Sequence, residues 1–307
     1  MTRHFDIRRY FYILVAITVV LYVLSTFIFN KQPLSAINVV AGLLFLVANA
    51  FIVYFTVDFF AVTINHAAPL VFGILTLSFP AVAIYDPSLW CALPANLAFY
   101  VAARFYGGDI NDDLAFLYSA LLGIASLLFA PLIWVAVFFL IMNFWMAGDK
   151  ARFVVSSIAG FLLPLLVMIA VRLATGDARL ILPAITDYLS NAVTLNVGLG
   201  ASSAARVFKM ATFLVCFIVS LVSFFRKAAQ YSVSHSHVMI MILAYSAVIT
   251  LLVVLFSYGA PAMSTMLIMV PVSLVIYDYL VWSSSDRGCR IAAAFLALAV
   301  LLEYIFR

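Results

Sequence analysis

"LYSALLGIASLLFAPLIWVAVFFLIMNFWMAGDKARFVVSSIAGFLLPLLVMIAV", residues 117–171, decides the fold. It reads as three apolar runs, separated by "FAPLIW" (129–134) and by a short basic loop around Lys150 and Arg152. A helix that crosses a bilayer needs about 20 mostly apolar residues, and each run comes near that length. Pro131 fits the first turn of the helix it opens, where its missing N–H takes no hydrogen bond away. The stretch therefore predicts consecutive membrane helices joined by tight connections.

The rest of the chain extends that pattern. Of 307 residues, 67% are hydrophobic and 9% are charged, and the mean hydropathy is +1.22. A soluble domain carries about 25% charged residues, so a buried core cannot account for the imbalance and lipid must act as solvent. A β-barrel would show short alternating segments, which are absent. The N-terminal run after Arg8 and Arg9 is too long for a signal-peptide core and has no small-residue cleavage site, so it reads as a retained helix.

Apolar segments fall near 10–29, 35–57, 68–85, 88–104, 113–129, 131–147, 152–172, 207–225, 236–257, 262–282 and 290–306. The expected architecture is an all-α, polytopic transmembrane helix bundle of about eleven spans, forming a single integral-membrane domain over residues 1–307. Asp112 and Asp113 are expected to cap the fifth span.

The net charge of +4 and pI near 9.0 come from basic residues scattered singly at helix ends, which excludes a nucleic-acid surface. With the N-terminus inside, Arg3, Arg8, Arg9, Arg104, Lys150, Arg152, Arg226, Lys227, Arg287 and Arg290 fall on the cytoplasmic side. Lys31, Arg172, Arg179, Arg206, Lys209 and Arg307 fall outside. This bias sets a cytoplasmic N-terminus.

One stretch breaks the hydrocarbon: "RLATGDARLILPAITDYLSNAVTLNVGLGASSAARVFK", residues 172–209. Ile181, Ile185, Tyr188, Leu189, Ala192 and Leu195 recur at helical spacing, with Asp187, Ser190, Asn191 and Thr194 on the other side. That pattern predicts an amphipathic helix near 180–196 at the outer face, lying in the membrane surface or lining a wet cavity. Arg172, Arg179, Asn191, Arg206 and Lys209 are candidate ligands for phosphate or carboxylate oxygens. Asp177 and Asp187 are candidate general bases, and Asp86, in the turn "IYDPSLW", is a third acid on that side. The competing reading is an interfacial loop whose charges meet water and headgroups.

Other polar features read as structural. Asp58 and Asp278 lie near the ends of apolar runs among aromatic residues, where the headgroup zone falls. "GGDINDD" (107–113) lacks the ligands of a calcium loop. His235 and His237, two apart, do not share a helix face, and Cys91, Cys216 and Cys289 have no metal or redox spacing, so no metal site is expected. No P-loop, dinucleotide fingerprint, HExxH or GxSxG is present, and no cofactor is expected.

The order of a Gly-containing helix, a Pro-led helix, a basic loop and a helix carrying Gly160 and Pro164, followed later by "MLIMVPVSLVIYDYLVW" (266–282), resembles an uncharacterised family of polytopic inner-membrane proteins of the Bacteroidota. Residues 117–171 also resemble the middle helices of integral-membrane glycosyltransferases that use polyprenyl-phosphate sugars. That resemblance implies chemistry at the outer face of a bacterial inner membrane, with an acid in the first outer loop. Here that loop, "NKQPLS" (30–35), has no acid, so Asp86, Asp177 or Asp187 would have to serve. Three functions follow as expectations: a cell-envelope enzyme acting on a lipid-linked glycan substrate, a secondary transporter or flippase built on Pro- and Gly-interrupted helices, or a non-catalytic subunit of a membrane-protein complex. Membrane lipids are partners in all three.

Overall fold

The computed structural model describes residues 7–24, 26, 36–60, 68–77, 79, 82, 85–146, 150–176, 179, 181–194, 218, 221–222, 225, 233–256 and 261–282. These residues form α1 (Ile7–Val23), α2 (Ala36–Phe60), α3 (Ala68–Leu77), α4 (Leu89–Tyr106), α5 (Asp112–Leu128), α6 (Ile133–Met146), α7 (Lys150–Ala174), α8 (Ile181–Val193), α9 (Val233–Phe256) and α10 (Pro261–Trp282). No strand occurs among them.

Three helical segments are long and apolar enough to cross a membrane: Ala36–Val57, Ala151–Ala174 and Ser236–Val253. Shorter apolar helical segments are Ala68–Leu77, Ala130–Trp145 and Ala262–Tyr277. The expected third span, 68–85, ends as a helix at Leu77. The expected eighth (207–225) and eleventh (290–306) spans lie largely or wholly outside the described residues.

Local chemistry sets several helix ends. Asn111, in extended conformation, is the N-cap of α5, and its side chain accepts from the Asp113 N–H. Asp112 and Asp113 instead occupy the first turn, where the helix dipole favours acids, and Asp112 pairs with Arg152 at the start of α7. Between α5 and α6 the chain makes one 3-10 turn, Ala130–Leu132, with Pro131 at its start.

The tightest packing joins α5 to α7. A Cβ on Gly160 would fall on the Phe116 carbonyl, and one on Gly123 would come within 2.7 Å of the Phe161 carbonyl and 3.0 Å of Pro164 Cγ. Small residues at such crossings let backbones approach, which substitutes for hydrophobic drive inside lipid. The pairings 116 with 160 and 123 with 161 and 164 run in the same sense, so α5 and α7 are parallel, with α6 returning between them.

Two buried polar clusters fix helix register. The Tyr106 hydroxyl donates to Asn143 Oδ1 at 2.6 Å, and Asn143 Nδ2 donates to the Tyr118 hydroxyl oxygen and to Ser157 Oγ at 2.8 Å. Tyr118 and Ser157 share a further bond at 3.1 Å. One cluster thus links α4, α5, α6 and α7. The other joins α2, α4 and α10: Asn96 Nδ2 donates to Asn49 Oδ1 at 2.7 Å and to the Met266 carbonyl at 3.3 Å. Asn49 itself donates to the Phe45 carbonyl, one turn back.

These contacts define two ends of the bundle. At one end the chain passes from α4 to α5 beneath Arg104, which holds Asp109 at 2.7 Å. At the other, Tyr85 N–H donates to the Asn38 carbonyl at 3.0 Å, placing the starts of α2 and α4 together. The turn between α5 and α6 and the end of α7 belong to this second end.

Candidate functional site

Helix α8 is held against the second end. Thr175 N–H and its hydroxyl both donate to the Val171 carbonyl, closing the last turn of α7. Gly176 then takes a φ of +82°, a left-handed conformation that lets the chain leave the helix axis. Pro183 lies in the first turn of α8, where backbone N–H groups have no intrahelical acceptor, so the N–H that proline lacks takes no helix bond away.

Two hydrogen bonds dock α8 on the bundle. The Tyr188 hydroxyl donates to Ser126 Oγ at 3.0 Å, and Trp134 Nε1 donates to the Ala192 carbonyl at 3.0 Å. Burial pushes the Tyr188 hydroxyl above its ordinary pKa, while its bond to Ser126 pulls the other way; it remains a protonated donor at neutral pH. Ala192 is buried, and Ile181, Ala184, Ile185 and Tyr188 are half-buried on the same side.

The opposite side carries the candidate chemistry. Asp187, Ser190, Asn191 and Thr194 are exposed. Thr194 turns its hydroxyl back to the Ser190 carbonyl at 2.7 Å, whereas Asp187 and Asn191 have no side-chain hydrogen bond among the described residues. Arg172, half-buried, ends α7, where a cation meets the negative end of the helix dipole, and Arg179 is exposed just before α8.

Asp86 sits in the turn before α4, at the same end of the bundle. Its Oδ1 accepts from Ser88 N–H at 2.9 Å and its carbonyl accepts from Leu89 N–H at 2.9 Å, so it organises the start of α4. Beside it, the Tyr85 hydroxyl accepts from Trp90 Nε1 at 2.8 Å. Asp177, Arg206 and Lys209 lie outside the described residues. Among the described residues no three His, Cys, Asp or Glu side chains gather as a metal site.

The structure therefore brings Arg172, Arg179, Asp187 and Asn191 to one end of the bundle, with both α8 residues on its outward side. Sequence reasoning missed Ser126 and Trp134 as the anchors of α8. The signal available was a tryptophan following the Pro131 turn, since indole rings favour helix ends at a membrane boundary.

Fold and site together define a helical membrane protein with an amphipathic helix folded back on one end of its bundle. No family model, curated protein or solved structure matches the chain.

Proposed function

We propose that this is a multi-pass protein of a bacterial inner membrane that receives a lipid-linked phosphate substrate at the α8 end of the bundle, on the outer side, and acts on it as a glycosyltransferase-like enzyme of the cell envelope. The single observation that supports this reading is α8 itself. It is docked by Tyr188 and Ala192, leaves Asp187 and Asn191 exposed and without a side-chain hydrogen bond among the described residues, and has Arg172 and Arg179 leading into it. Arginine's planar fork suits phosphate oxygens, and an exposed carboxylate at the same end of the bundle can accept a proton from an attacking hydroxyl. The resemblance of residues 117–171 to polyprenyl-phosphate-sugar enzymes supports the same substrate class. The bias of Lys and Arg along the chain supports an outer position for this end and a cytoplasmic N-terminus, in a bundle read from the apolar segments as about eleven spans.

A second reading, a non-catalytic subunit of an envelope complex, is favoured by Asp86, whose side chain is engaged by the Ser88 N–H, and by the outward direction of Asp187. Glycan analysis of a strain carrying Asp187→Asn, and of one carrying Arg172→Ala with Arg179→Ala, separates the two. The enzyme reading expects loss of the product glycan by at least tenfold in the first strain and a rise in the substrate concentration required in the second. Wild-type glycans in both strains, with normal protein levels, would leave only the subunit reading.

A further inference from the structure

Helix α8 has three faces where an amphipathic helix needs two. At 3.6 residues per turn, Ile181, Ile185, Tyr188 and Ala192 form the face on the bundle. Asp187, Ser190, Asn191 and Thr194 form the polar face. About a quarter-turn round from the first, Leu182, Leu189 and Val193 recur at spacings of seven and four, and they are 73%, 52% and 66% exposed. Thr186 extends this ridge, with its hydroxyl turned back to the Leu182 carbonyl at 2.9 Å.

Leaving three branched aliphatic side chains in water is unfavourable, since burying each contributes about 1.5–3 kcal/mol. The bundle does not cover them, because α8 already meets it through another face. The adjoining surface shows what does. Helix α7, one of the three segments suited to cross a membrane, carries exposed Leu166, Val167, Val171 and Leu173 up to its last turn. Gly176, with its φ of +82°, ends that helix, and α8 begins at Ile181, five residues further on. Trp134, which holds the far end of α8, is itself 45% exposed, as an indole at a headgroup boundary is.

We infer that α8 lies along the bilayer boundary with the Leu182–Leu189–Val193 ridge seated among acyl chains. Its polar face is turned to water and Tyr188 to the protein. The seat explains the third face, and it gives a lipid-linked molecule a defined place, with its chain against the ridge and its head beside Asp187 and Asn191. The seating rests on the membrane assignment and holds whether or not chemistry occurs at Asp187.

Spin-label accessibility tests it. Single cysteines are introduced by Leu189→Cys, Val193→Cys or Ser190→Cys after replacing Cys91, Cys216 and Cys289 by alanine. The labelled protein is placed in vesicles of phosphatidylcholine and phosphatidylglycerol. Labels at 189 and 193 should collide with oxygen at least threefold more than with a water-soluble nickel chelate, and the label at 190 should show the reverse. The seating is overturned if 189 and 193 match 190 in chelate access, or if they are shielded from both reagents, which would mean that protein covers the ridge. Because these positions are exposed, the substitutions leave packing intact, and the glycan assay of Asp187→Asn reads a separate property.

Discussion

Replacing Gly160 by alanine should lower stability by about 3 kcal/mol, and replacing it by leucine should prevent α5 and α7 from packing at all. Two effects oppose each other. Alanine is the better helix former by about 1 kcal/mol, so on helix propensity alone the change would stabilise. Its Cβ, however, falls on the carbonyl of Phe116, a backbone atom that cannot rotate away. The helices must separate, which disrupts the facing Gly123 contacts with Phe161 and Pro164 and pulls on the Tyr118–Ser157 bond. The steric term wins because it acts along the most extensive interface in the fold. Thermal unfolding in mild detergent checks this, with Ala159→Leu as the control. Ala159 is exposed, so a larger apolar side chain there meets lipid and should leave the midpoint unchanged.

The second large effect is expected from Asn143→Leu. The asparagine accepts from Tyr106 and donates to both Tyr118 and Ser157. Interhelical hydrogen bonds in membranes contribute on average about 0.6 kcal/mol each, so three lost bonds account for about 2 kcal/mol. The buried Tyr106 hydroxyl loses its short bond to Asn143 and keeps only the 3.5 Å contact to the Phe139 carbonyl and its neighbour, the Tyr118 hydroxyl, so a poorly satisfied donor adds about 1 kcal/mol. The sum is about 3 kcal/mol. A double variant, Tyr106→Phe with Asn143→Leu, should be less destabilised than the sum of the two single changes, because it removes the poorly satisfied hydroxyl as well as its acceptor. Additive losses would show that the cluster does not act as a unit.

Much of the fold was legible because lipid imposes a simple rule. Apolar runs near the spanning length become helices, and Pro131 marks where one begins, whereas the cap of α5, expected at Asp112 and Asp113, is Asn111 one residue earlier. The amphipathic helix expected near 180–196 is present as Ile181–Val193. Two things were not legible. Periodicity grouped Leu189 with Tyr188 and Ala192 on one oily face, whereas docking splits that face in two: Tyr188 and Ala192 meet the bundle and Leu189 stays exposed. The interior polar clusters were also invisible, since Asn49, Asn96 and Asn143 are single polar residues in apolar runs, Ser157 is one of two adjacent serines in another, and their partners lie on other helices. Asp86 stood out in sequence as an acid near an expected outer turn, and the same Asp-Pro pairing that favours the turn also explains its bond to Ser88.

The docking of α8 on the bundle is tested most directly by cross-linking. In a background with Cys91, Cys216 and Cys289 replaced, a short bis-thiosulfonate reagent should join Ser126→Cys to Tyr188→Cys in membranes and leave Ser126→Cys with Ser190→Cys unjoined, because residue 190 faces away from the bundle. Equal yields for the two pairs, or no product from the first, would contradict the docked helix on which the site depends.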